Sequence, residues 1–414
     1  MSADEIFVIG VGMTPFGRLI DQDIKTLTRK AVTQALEDAG VSQKDLNAAF
    51  FANSTQGHMQ GQHMIRGQVA LRSMGIDGIP VINVENACAS GSTALTLGVQ
   101  FLRAGEGDMV LAVGAEKMWS PEREKMLSVF DSACDVSDAE QTRARLIAIG
   151  QGLEVPPGTT SSKSYSVFMD VYAAFARAHM KRYGTTQKHL AAVASKNHLH
   201  SVDNPLAQYR ESYTIEQVLH APPITYPLTL PMCSPVSDGA AAAILCTKEG
   251  LKRMQGSQSR AIRVLSSVIQ SGTDRRESEV ERHCTVLAAK RAYELAGIGP
   301  KDVSVAEVHD ATAMGEIIQT ENLGFCNFGE GGDFAERGFT SIGGKIPVNP
   351  SGGLESKGHP IGATGLGQIY ELVQQLRGEA GARQVQGAKV ALSENGGGLY
   401  GIEEAVACVT ILAR

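Results

Sequence analysis

The chain has 414 residues, with 38 lysines and arginines against 44 aspartates and glutamates, a net charge of −6. Its 43% hydrophobic and 20% charged content describes a globular, enzyme-like chain of about two to three ordinary domains and excludes a disordered or fibrous one. Mild acidity with no run of lysine or arginine excludes nucleic acid or an anionic membrane as the main partner.

Short β-branched runs at residues 6–11, 80–84, 109–114, 303–308, 389–392 and 406–412 predict strands. They alternate with helical patterns, so the fold class is α/β. The longest apolar run, around Ala240 to Cys246, is far too short to span a bilayer. The seven cysteines are odd in number and form no CxxC pair, which fits free thiols in a reducing compartment. An acidic start and a C-terminal Ala413-Arg414 match neither a secretory leader nor a peroxisomal address, and a cytoplasmic location is expected.

Residues 31–46, AVTQALEDAGVSQKDL, lie without a gap on residues 288–303, AAKRAYELAGIGPKDV. Both read as a helix stopped by glycine and followed by a turn into a strand. A second pair of segments gives the same message. Aligning Gly91-Ser-Thr with Gly362-Ala-Thr puts Cys88 on His359, an offset of 271 residues. The chain is therefore expected to consist of two related halves, 1–255 and 256–414. Residues of about 118 to 230 break the rhythm and read as an insertion on the first half. Its cations Arg177, Lys181 and Arg182 are either a site for a phosphate-bearing substrate or a solvated helix face.

Cys88 lies between a strand and a helix in Glu85-Asn-Ala-Cys-Ala-Ser-Gly-Ser. A helix start favours thiolate over thiol, so a lowered pKa and a nucleophilic role are expected, against the ordinary alternative of a small core residue. His359, followed by Pro360 and glycines, is placed to take the Cys88 proton and return one to a leaving group. His309, at a strand end, is placed to donate to a developing oxyanion. His198 and His200 have no third ligand nearby, and no metal site is expected. The glycine run Asn395-Gly-Gly-Gly, read as following a strand, lacks the lysine and helix pattern of a phosphate loop.

These residues resemble the thiolases, and within them the sterol-carrier-protein type, over nearly the whole chain. The resemblance is carried by Ile6-Phe-Val-Ile-Gly-Val-Gly-Met-Thr-Pro-Phe-Gly, Asn86-Ala-Cys-Ala-Ser-Gly-Ser, Ser234-Pro-Val-Ser-Asp-Gly-Ala-Ala-Ala and Val348-Asn-Pro-Ser-Gly-Gly-Leu through Gly358-His-Pro-Ile-Gly-Ala-Thr-Gly. It implies a thiolase fold, duplicated βαβαβαββ halves in α-β-α-β-α layers with an inserted loop domain, as a homodimer or homotetramer. It further implies that Cys88 is acylated from a CoA thioester, with CoA as substrate and no other cofactor, that His359 activates it and that His309 helps form an oxyanion hole. Ser234 would contact the pantetheine arm and Gly396 would supply a backbone donor near Cys88.

The departures concern the second proton carrier. Where thiolases place a cysteine before the glycine run this chain has Glu394, and where the sterol-carrier type has one after His-Asp it has Ala311. Glu394, His309 or Cys326 is then expected to move the proton. Three functions follow: thiolytic cleavage of a 3-ketoacyl-CoA or the reverse condensation; retro-aldol cleavage of a hydroxyacyl-CoA or acyl transfer to a non-CoA acceptor, with a small OB-fold partner; or a non-catalytic acyl-CoA-binding scaffold.

Overall fold

In the computed structural model, which describes residues 5–254 and 258–414, nine strands hydrogen-bond into a single sheet. They are β1 (Ile6–Met13), β2 (Ala48–Ala52), β3 (Val81–Val84), β4 (Met109–Glu116), β7 (Gly239–Thr247), β8 (Ile262–Ser271), β9 (Val305–Glu307), β10 (Val390–Gly397) and β11 (Val406–Ala413), while β5 (Pro223–Thr225) and β6 (Leu228–Thr229) form a separate hairpin. The order is β3-β2-β4-β7-β1-β8-β11-β10-β9. Only Ile6–Val8 of β1 pairs with Ile262–Val264 of β8, so the two sides of the sheet meet over a narrow seam. Outward from that seam β1, β7, β4, β2 and β3 are matched by β8, β11, β10 and β9, and then by a bridge from Ala306 to Val348. Each side is thus one βαβαβαββ unit; the expected junction at residues 255 and 256 lies outside the described residues.

The layers follow from which faces are apolar. Leu27, Ala31 and Ala35 of the helix Ile24–Ala39 cover one outer face against Ile9, Val113 and Ile244. Ala288 and Ala292 of the helix Cys284–Ala296 cover the other against Val409 and Ile411. Between the inner faces lie the helices Ser90–Arg103 and Thr364–Arg377, with Leu95, Val99, Leu366 and Ile369 packed among Ala112, Leu245, Ala391 and Leu412. The result is the expected α-β-α-β-α stack, in which the two middle helices are buried on most sides and need small residues where they cross.

The first repeat is structural in detail. The two outer helices end on Gly40 and Gly297 at φ of 70° and 68°, a left-handed conformation that glycine adopts without a Cβ clash. In the turns that follow, Asp45 accepts the Ser42 N–H and Asp302 accepts the Gly299 N–H, both at 2.8 Å. The second repeat is looser than its motif. The middle helices start at Ser90 and Thr364, an offset of 274 (364 − 90) and not 271. Cys88 therefore stands two residues ahead of its helix and His359 five ahead of its own.

Three strands of the nine-stranded sheet, and both strands of the small hairpin, escaped the sequence reading. β2, β7 and β8 are alanine-rich or interrupted by polar residues, and β7, GAAAAILCT, is buried along its whole length and sits between two strands that supply its hydrogen bonds. β10 runs on past the expected residue 392 to Gly397, because β11 pairs with it as far as Gly397↔Val406. Glu394 and the first glycines accordingly lie inside a strand and not in a turn after it. Between Glu116 and Gly239 no residue joins the nine-stranded sheet, as expected of an insertion. Its core of Tyr172, Leu190, Val193 and Met232 closes on Ala311, Met314 and Ile317, so the segment inserted in the first half packs on the second.

Candidate active site

Cys88 sits in a single 3-10 turn, Ala87–Ala89, between β3 and the helix Ser90–Arg103. Ala87 is held at φ 47°, a conformation that costs a non-glycine residue energy and that is common where a side chain must be aimed. Ser90 fixes the turn, accepting the Asn86 N–H at 2.8 Å and donating to the Ala87 carbonyl at 2.6 Å. β10 comes up against this turn. A Cβ on Gly397 would lie 2.3 Å from the Asn86 carbonyl, which is why the strand must be glycine there.

The imidazole of His359 reaches the thiol, Nε2 to Sγ, at 3.3 Å. Its other nitrogen lies 2.7 Å from the Thr364 hydroxyl, whose own proton goes to the Pro360 carbonyl at 3.0 Å. That hydroxyl can only accept from the ring, so Nδ1 carries the hydrogen and Nε2 faces Cys88 as a base. His309 completes the group: the Cys88 sulfur and one nitrogen of each histidine lie within 4.8 Å of one another, and the two rings are 5.3 Å apart. Neither ring nitrogen of His309 has a hydrogen-bond partner, although the residue is buried.

Burial decides the protonation states, and it overturns one expectation. The Cys88 thiol is not lowered but pushed up to about 12 by desolvation, which outweighs the Gly398 N–H that favours thiolate, with Glu116 and Glu85 adding to the rise. His309 is lowered to about 4 by burial against the pull of Glu404, and His359 is held well below its usual range by burial, His309 and Lys357. The resting site is a neutral thiol beside neutral imidazoles.

The remaining expected residues are distributed unevenly. Ser234 lines the cavity above Cys88, as does Ala311, whose carbonyl accepts the Ser234 N–H at 3.0 Å. The backbone donor to Cys88 is Gly398, two residues beyond the expected Gly396; Gly396 lies instead beside His309. Glu394 does not line the cavity. Its carboxyl, pushed well above the usual range by burial and by Glu404, accepts the His309 backbone N–H at 3.0 Å and so works behind that residue. Cys326 packs in the outer core near Phe334, away from the cavity. Arg177 is committed to the carbonyls of Gly150 and Tyr226 and Arg182 to that of Glu277, and none of Arg177, Lys181 and Arg182 lines the cavity. The two exposed cations on the cavity wall are Arg18, over Trp119 at 6.0 Å, and Arg123, whose Nε donates to the Ser164 carbonyl at 3.1 Å.

The cavity has a volume of about 740 Å³. Met126, Phe130, Phe168 and Met169 of the inserted segment give it an apolar wall. Sequence reasoning missed Thr364, Gly398 and Glu404, and also the thiol of Cys233, which lines the wall next to Ser234 and donates to the Thr229 carbonyl. Only Thr364 had a visible signal, as the threonine in the motif that carries His359. His200 is spent on Asn349 and Ile342, and His198 on Pro231. A second group with metal-ligand geometry, His283, Cys284 and Glu403, is likewise committed, with Glu403 paired to Arg275.

The thiol and imidazole meet where the two duplicated halves come together, and family models match both halves. Residues 6–215 match the thiolase N-terminal domain and 268–414 the thiolase C-terminal domain-like model. The chain belongs to the thiolase family and is an enzyme of its acyltransferase class. It is 40% identical to the acetyl-CoA acetyltransferase of Methanothermobacter thermautotrophicus, over 99% of this chain and all of that one. It is 39% identical to sterol carrier protein 2 of Oryctolagus cuniculus, over 94% of this chain and 69% of that longer one. Among solved structures the fold matches an Ltp2-ChsH2(DUF35) aldolase with a TM-score of 0.77 at 22% identity, covering 99% of this chain and 97% of that one. It matches human mitochondrial 3-ketoacyl-CoA thiolase with a TM-score of 0.67 at 19% identity, covering 100% of this chain and 99% of that one. Among the described residues no helix is long and apolar enough to cross a membrane.

Proposed function

We propose that the protein transfers acyl groups between CoA thioesters by ping-pong covalent catalysis, cleaving a 3-ketoacyl-CoA with CoA or running the reverse condensation. The 3.3 Å contact of Cys88 with His359 in a large apolar cavity carries the reading. As His359 takes the thiol proton, sulfur attacks the thioester carbonyl. His309, with unpaired ring nitrogens, is free to donate to the oxygen that becomes negative. When the tetrahedral intermediate collapses, His359 returns its proton to the leaving CoA sulfur. Ser234 meets the pantetheine arm on this reading, and Arg18 at the cavity wall meets the CoA phosphates. CoA is substrate, and no metal is used; the enzyme works as a homodimer or homotetramer.

Intact-protein mass spectrometry after incubation with acetyl-CoA or a 3-ketoacyl-CoA is expected to show one acyl adduct on Cys88 and none in Cys88→Ala. An unmodified Cys88 across a broad thioester panel would remove the covalent mechanism. Alanine at 311, where the wall would otherwise carry a thiol, also fits retro-aldol cleavage of a hydroxyacyl-CoA assisted by a small OB-fold partner. Cleavage that requires no free CoA and survives Cys88→Ala would favour that second chemistry.

A further inference from the structure

We propose that Glu404 is a positioning residue for the carbon–carbon step, supporting His309 as the base that takes the α-proton of the second acyl thioester; this rests on the thiolase reaction proposed above. Glu404 is buried and lines both the large cavity and a smaller one of about 110 Å³ behind it. Its carboxylate is fixed from two sides. Gln319 donates its amide N–H at 3.0 Å, and His283 Nε2 lies at 3.2 Å. Because His283 Nδ1 accepts from the Thr285 N–H at 3.1 Å and from the Asn322 amide at 3.3 Å, the ring proton sits on Nε2 and points at Glu404.

The space between Glu404 and His309 is kept open by Gly396. A Cβ there would lie 2.8 Å from the Glu404 Cγ and 3.1 Å from the His309 Nδ1, so any side chain would wedge the two apart. Burial would raise Glu404, but His283 beside it outweighs burial and brings the carboxyl down to about 2. The other groups around it leave that charge uncompensated on the His309 side. Tyr172, Cys284 and Glu394 are pushed towards their neutral forms, in part by Glu404 itself, and Glu403 is taken by Arg275. The ionisable groups facing the His309 ring include Glu404, His359 and Cys88, and Glu394 accepts its backbone N–H from behind.

In the condensing direction neutral His309 takes a proton from the α-carbon of the incoming acyl-CoA. The electron pair of that C–H bond becomes the new C–C bond to the carbonyl carbon on Cys88. The C–S bond to Cys88 then breaks, and the thiolate recovers the proton from His309 by way of His359; the sulfur and one nitrogen of each imidazole lie within 4.8 Å of one another. While His309 is charged, the Glu404 carboxylate faces it. Thiolysis is the same sequence reversed, with the thiol proton of Cys88 delivered to the departing α-carbon.

The test is deuterium uptake into the acetyl group of acetyl-CoA in D2O, measured on the full chain beside Cys88 acylation in the same samples. Glu404→Gln is expected to slow exchange about a hundredfold and leave acylation within about threefold. The acid limb of its exchange–pH profile should move to lower pH, since His309 loses a stabilising anion, and Glu404→Asp should restore part of the rate. Exchange unchanged in Glu404→Gln overturns the role, as does a parallel fall in acylation with no shift of the limb. Cys233→Ala reproducing the hundredfold loss while Glu404→Gln does not would hand the role to Cys233. A parent enzyme that acylates Cys88 yet exchanges no α-proton overturns the proposed carbon–carbon reaction itself, and this role with it.

Discussion

The turn before the helix Ser90–Arg103 and the turn before Thr364–Arg377 occupy matching places in the two halves, yet they are built to different lengths. At the first helical position Ser90 uses its hydroxyl on its own turn, whereas Thr364 uses its hydroxyl on His359 and Pro360. The short approach puts the Cys88 sulfur at the helix start, under Gly398 just past the end of β10. The longer one sets an imidazole back from its helix, so that it meets the sulfur from the side. The site is lopsided as a result: the first half contributes the atom to be activated, and the second contributes His359, Thr364, His309 and the backbone donor. Duplication supplied the frame, and a difference of three residues supplied the chemistry.

The comparison can be broken most directly at its base. His359→Ala should cut the rate of Cys88 acylation about a thousandfold, read by rapid-quench mass spectrometry, and leave CoA-thioester binding in place. Iodoacetamide trapping checks the resting state. With the thiol pushed up to about 12, alkylation of Cys88 should keep climbing between pH 7 and 10, where a helix-activated thiolate would level off near neutrality. The crossing of the two middle helices is the next target. A Cβ at Gly365 would lie 2.1 Å from the Ser92 Oγ and 2.6 Å from the Ser92 N, so Gly365→Ala should destabilise the protein by about 3 kcal/mol in urea unfolding. Thr364→Val removes the partner of His359 Nδ1 and should slow acylation about tenfold, with Thr364→Ser restoring most of it. The smallest effect sharpens the symmetry: Asp45→Ala and Asp302→Ala should lower the thermal midpoint equally, by about 1 °C each, since both aspartates cap the same turn.

How much was legible can be argued residue by residue. The repeat at 31–46 and 288–303 was plain because two of its identities, Gly40/Gly297 and Asp45/Asp302, are positions where the backbone needs a particular residue, a left-handed glycine and an N–H acceptor. Cys88 and His359 stood out because their motifs are dense in small residues. β7 did not, since alanine has little strand preference and only burial between neighbouring strands makes it one. Glu394 was misplaced because a glycine run reads as a turn until β11 is there to pair with it. Glu404 had no signal, because its partners His283, Gln319 and His309 are brought to it by three separate elements.

The sequence by itself determined the α/β class, the duplication, the insertion and the candidacy of Cys88 and His359, all of which are local patterns of residue type. Only the tertiary structure decided the protonation states and the direction of the contacts. Those depend on how much water each group has lost and on which groups distant in sequence stand opposite it. The same burial that closes the cavity around Cys88 turns an expected thiolate into a thiol that waits for its base.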